Sequence, residues 1–128
     1  MKKHLLTLLL AVSLVGMVNA QDSTSNKQFM QITSIESVYS GGFGRSKLIT
    51  TNPDGTQVEE DLENLFSLTG LNFKNIKSNE LKITQSIKKC TDKGWVLQQV
   101  IPLSVSPGQN STGIFMTRYL LSKTDNPK

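Results

Sequence analysis

Histidine and cysteine are almost missing from this chain, one of each in 128 residues. His4 lies within the first twenty residues, which carry the layout of a removable signal. The rest of the chain has no imidazole. That excludes Ser-His-Asp and Cys-His hydrolases, and zinc sites built on histidine. Cys90 has no second cysteine to bridge within the chain. It does not follow the expected cleavage point, so it is not a lipid attachment residue. Its helical position, described below, assigns it to the core rather than to a reactive thiol.

The chain also has no apolar run of the length that a membrane span requires. Leu5 to Val18 is fourteen residues, interrupted by Thr7, Ser13 and Gly16, against roughly 20 for a spanning helix. Lys2 and Lys3 precede it, and Val18-Asn19-Ala20 presents small residues at the two positions a signal peptidase reads. We expect residues 1–20 to be a signal peptide cleaved after Ala20. The mature chain is then Gln21 to Lys128, periplasmic or secreted, without stable membrane insertion. Its charge is modest: without Lys2 and Lys3, 12 basic side chains face 10 acidic ones. That balance does not call for a nucleic-acid or anionic-membrane partner.

What remains is one domain in size, with material for a modest core. Residues 21–28 are polar and read as a disordered leader. Phe29 to Tyr39 is β-branched and aromatic, a strand. Ser40 to Gly44 reads as a turn and Arg45 to Thr51 as a second strand. Asn52-Pro53-Asp54-Gly55 is a turn signal that returns the chain into Thr56 to Asp61, making a hairpin. Leu62, Leu65, Phe66 and Thr69 follow helical spacing until Gly70, a short helix or coiled connection. Ser78 to Lys93 is the main helix, with Ser78 as N-cap. Ile83, Ile87 and Cys90 share one face, and Gly94 stops the helix. Trp95 to Ile101 is a strand ended by Pro102. Leu103 to Gly113 reads as an exposed loop and Ile114 to Ser122 as the last strand. Residues 123–128 form a frayed tail. The expected domain, 29–122, is α+β: an antiparallel sheet of about five strands on one main helix, order βββ(α)αββ.

Glu80 to Leu121 resembles a family of small bacterial domains of unknown function. The shared pattern is a helix ending in Gly94-Trp95, an apolar strand with Val96, Leu97 and Val100, a loop, and a closing strand with Phe115, Arg118 and Tyr119. Leu81 and Ile87 match on the helix. An opening strand precedes that helix in the family, and Phe29 to Tyr39 supplies one. Val96 stands where the family usually has an acidic residue, and the hairpin around Pro53 is an addition. The resemblance implies the fold and brings no activity.

Other candidate motifs fail on spacing or have a plainer explanation. Gly41-Gly42-Phe43-Gly44-Arg45-Ser46-Lys47 lacks the spacing of a phosphate loop, and Lys47 stands where a dinucleotide fingerprint needs glycine. Glu59, Glu60, Asp61 and Glu63 suggest paired-carboxylate hydrolysis or calcium. The spacing of a calcium loop is absent, and carboxylates on an exposed hairpin guard a sheet edge. Gln98 to Pro102 faintly resembles the loop of cystatin-type inhibitors, but Pro102 replaces its glycine and the run reads as a strand. Trp95, directly after a helix-ending glycine, reads as a core or staple residue.

These readings converge on an exported, non-catalytic binding or interaction module of the bacterial cell envelope, with no cofactor or metal. Its partner would be an envelope protein or a ligand. The alternative is a secreted inhibitor or small-ligand carrier acting through Gly41 to Gly44 and Leu103 to Gly113. A carrier requires a cavity among Phe66, Phe73 and Trp95. Aromatic and arginine side chains anchor interfaces, so Tyr39, Phe43 and Arg45 are the expected partner-binding residues.

Overall fold

The computed structural model describes residues 26–38, 45–105 and 113–124. The expected signal peptide, most of the expected leader, Tyr39 with the expected turn at Ser40 to Gly44, residues 106–112 of the expected loop, and residues 125–128 lie outside them. The elements are β1 (Lys27–Val38), β2 (Ser46–Thr51), β3 (Gln57–Leu62), β4 (Phe66–Ser67), β5 (Gly70–Leu71), α1 (Phe73–Thr91), β6 (Val96–Val105) and β7 (Gly113–Thr124). Five strands form one antiparallel sheet in the order β3-β2-β1-β7-β6, while β4 and β5 pair separately. The architecture is α+β, with one helix and a five-stranded antiparallel sheet among the described residues.

The strand period decides what is buried. Residues opposite each other in the register share a face. Met30 faces Leu121, Ile32 faces Thr50 and Tyr119, and Ser46 faces Leu62. These rows form one face, and α1 lies on it. Met30, Ile32, Leu48, Leu62 and Leu121 join Ile83 and Cys90 of α1 in the core, with Ile87, Trp95 and Tyr119 packed against it. Asn79 fastens the helix to the sheet. It is completely buried, accepts from the Glu63 N–H at 2.8 Å, and donates to Glu63 O and Glu36 Oε1 at 2.9 and 3.0 Å.

Several boundaries differ from expectation. The helix starts at Phe73, not Ser78: the Asn72 side chain accepts from the backbone N–H groups of Lys74 and Asn75. Phe73 is exposed and Asn79 interrupts the apolar stripe between half-buried Ile76 and buried Ile83, so the first turn's face is weakly marked. Where a short helix or coiled connection was expected at Leu62 to Thr69, the chain forms a tight hairpin, in which Phe66 pairs with Leu71 and Ser67 with Gly70. Asn64 Nδ2 donates to Phe66 O at 2.7 Å, and Gly70 takes φ +113°. Eight residues are too few for helical spacing to outweigh a costly nucleus and a left-handed glycine. Pro102 does not end its strand. β6 is an edge, where the missing N–H leaves no partner unsatisfied, so the strand continues to Val105. The leader and tail are also shorter than expected: Lys27 and Gln28 pair with Thr124 and Lys123.

The predicted stops are present. Gly55 has φ +83°, and the Asn52–Thr56 backbone bonds close the turn. Gly94 has φ +85°, with Trp95 N–H donating to Cys90 O and Gly94 N–H to Thr91 O. That pair of bonds is the Schellman motif.

Candidate ligand-binding cleft

The helix leaves part of its own face of the sheet open. Between the second half of α1 and strands β1, β2 and β3 lies a cleft of about 320 Å³. That is the lower end of the range for small-molecule sites, about 300–1,000 Å³.

The secondary structure explains its lining. Ser86, Lys89, Cys90 and Lys93 are spaced three or four apart, so they form one stripe toward the sheet. Across from them, Thr50 pairs with Val58, and Leu48 with Glu60, alternating residues of the helix-bearing face. Met30 of β1 and Asn52 at the end of β2 complete the wall. The Schellman stop reverses the chain after α1 and sets Trp95 at the cleft's end. The apolar part is Met30, Leu48, Val58, Cys90 and Trp95. The charged part is Glu60 with Lys89 and Lys93, giving one net positive charge. Among the described residues neither lysine has an ion-pair partner, whereas Lys88, on another face, pairs with Asp92 at 2.7 Å. Cationic side chains at a helix C-terminus are favoured by the helix dipole, so they need no carboxylate of their own.

Cys90 contributes bulk to this site. Burial pushes its thiol above the ordinary value, opposed only in part by the charge of Lys93. A raised thiol pKa disfavours the thiolate, the form that attacks electrophiles or binds metal. The acidic cluster does not converge. Alternation along β3 sends Glu60 to the cleft and Glu59 and Asp61 to the opposite face, where Lys47 Nζ lies 3.5 Å and 2.7 Å from them. Glu60 is therefore the one carboxylate among the cleft residues, and a two-carboxylate hydrolytic pair is not assembled there. No group of three potential metal ligands occurs among the described residues.

Tyr39 and Phe43 lie outside the described residues. Arg45 is exposed just before β2, at the end of that strand away from Asn52 and the cleft. Val38 pairs with Gly113, so the two connections, 39–44 and 106–112, depart from the same end of the sheet. The cavity reaches Trp95 as a carrier would require, but Phe66 and Phe73 do not line it. The sequence held a signal for the cleft: lysines at 89 and 93 on a stripe with Ser86 and Cys90. It was unreadable alone, because their partners on β2 and β3 are set by the register. Among the described residues no helix is long and apolar enough to cross a membrane.

No family model matches the chain, and no curated protein or solved structure matches it at a significant level. The resemblance over Glu80 to Leu121 therefore rests on its residues alone.

Proposed function

We propose that this chain is an exported, non-catalytic binding module of the bacterial envelope, and that its site is the cleft beneath the second half of α1. The ligand class is a small amphipathic molecule: an apolar body against Met30, Leu48, Val58 and Trp95, and an anionic head at Lys89 and Lys93. The observation that carries this reading is the pairing of an apolar wall with two lysines on one helical stripe that have no ion-pair partner among the described residues. The non-catalytic part is supported by the absence of imidazole beyond His4, the buried thiol and the divided acidic cluster.

Anilinonaphthalene sulfonate, an aromatic body with one anionic group, is a suitable probe. Saturable one-to-one binding is expected, with quenching of Trp95, the chain's single tryptophan. Lys89→Glu with Lys93→Glu should weaken it about tenfold or more, the equivalent of losing about one charge-assisted contact. Ile101→Lys, on the far face of the sheet, should not. The reverse pattern, with binding lost in Ile101→Lys and kept in the cleft variant, contradicts the reading.

A protein partner held by the connections at 39–44 and 106–112 is the second reading. It is supported by the Val38–Gly113 pair, which launches both connections from one end of the sheet. Tyr39, Phe43 and Arg45 would be its contacts.

A further inference from the structure

The second face of the sheet carries no helix. The registers place Glu59, Ile49, Thr33, Arg118 and Ile101 in one row across the five strands, and Asp61, Lys47, Ile35, Met116 and Leu103 in the next. Its apolar residues gather on β7 and β6, with Phe29, Ile35 and Ile49 on β1 and β2, and are interrupted by Gln31, Thr33 and Arg118. Ile101, Leu103 and Phe29 are 36%, 45% and 51% exposed.

We propose that this face binds a second copy of the same chain, face to face, as the two halves of a β-sandwich. Three observations select that occupant. The first is size. Strands of these lengths, about 4.8 Å apart and rising about 3.3 Å per residue, cover roughly 700 Å² in projection. A standard interface uses about 800 Å² per partner.

The second observation is charge. Arg118 stands exposed in the middle row with no ion-pair partner among the described residues. At the β3 margin of the same row, Glu59 is held only loosely by Lys47, at 3.5 Å against 2.7 Å for Asp61. A two-fold axis along β1 keeps each row level and lays β3 of one copy over β6 of the other. Glu59 of each copy then falls one strand spacing, about 4.8 Å, from the line of the other's Arg118. The long arginine side chain bridges that offset, and symmetry makes the pair twice.

The third observation is that the edges are guarded and the face is not. β3 carries Glu59, Glu60 and Asp61, while β6 carries Pro102 and a bulge between Leu97 and Gln99. These devices discourage strand addition at either edge. An anionic membrane is disfavoured by the Glu59 and Asp61 margin.

This dimer does not depend on the cleft, which lies on the opposite side of the sheet. The test is sedimentation equilibrium of the mature chain across a concentration series, with circular dichroism to confirm folding. Wild type should form a dimer. Arg118→Glu and Glu59→Arg should each weaken it about tenfold or more, as expected for a close interfacial charge pair. The double variant should recover it. Ile101→Lys should abolish it, and Val100→Lys, on the helix side of the same strand, should leave it intact. A wild-type monomer at every concentration overturns the proposal. So does a dimer that Arg118→Glu and Ile101→Lys both leave unchanged, or a double variant that fails to recover. Loss in Val100→Lys with retention in Ile101→Lys assigns the contact to the helix-bearing face and overturns it equally.

Discussion

Asn79 shows how much of this small fold rests on single side chains. Both ends of its amide are used against the Glu63 backbone, and the amide nitrogen also reaches Glu36. Replacing it by an apolar residue of similar size leaves the part-buried Glu63 N–H and carbonyl without their side-chain partner. Asn79→Leu should cost about 3 kcal/mol, since each such orphan costs about 1–3 kcal/mol. Urea denaturation measures it, and a change under about 0.5 kcal/mol, the range of ordinary surface substitutions, contradicts the assignment. Cys90 and Tyr119 make a second residue-scale prediction. Burial raises both groups above their ordinary values of 9.0 and 10.0; the Glu36 charge adds to the rise at Tyr119, and a Ser34 hydrogen bond opposes it. The fold therefore favours their neutral forms. Their contribution is complete below the ordinary values and is lost as pH rises through the raised ones. The melting temperature should fall on the alkaline side, and Tyr119→Phe should fall less steeply. Equal slopes for both proteins would remove Tyr119 from the account.

At the scale of elements, the stops were more legible than the starts. Gly94 announces the end of α1 because a left-handed residue without a side chain suits a Schellman motif. Its Cβ would have room, with Lys123 Cε 3.6 Å away, so the cost of Gly94→Ala is conformational. It should be roughly 1 kcal/mol, read as a lower melting temperature. An unchanged melting temperature would mean that the backbone there relaxes without strain. The helix start was hidden because Asn72, Asn75 and Ser78 are all competent caps, and only the Asn72 geometry separates them. The β4–β5 hairpin imitated a helix because Leu62, Leu65 and Phe66 have the right spacing by composition. Pro102 reads as a terminator until β6 is known to be an edge, a property of the sheet order and not of the segment. Cys90, Ile83 and Ile87 were legible as one face because helical period alone determines it. The cleft was not, since half of its wall comes from a different region of the chain.

Among the described residues, the molecule is built on a five-stranded sheet with two unequal faces. One carries α1, the core and a cleft with an apolar wall and a cationic rim. The other is apolar toward β6, acidic at its β3 margin, and carries Arg118 on β7. In our account these faces serve different partners, a small amphipathic ligand on one and a second copy on the other. The N-terminal layout and the lack of histidine beyond His4 are what support the proposed export and binding role. The division yields a direct test of the central claim, because amide resonances report which face a ligand occupies. Titrating decanoate into isotopically labelled mature chain should shift Thr50, Val58, Ser86, Lys89, Lys93 and Trp95 in a saturable way. Thr33, Ile101 and Arg118 should stay in place. Shifts confined to Ile101, Arg118 and their row, or no saturable shift at the cleft residues, would contradict the account.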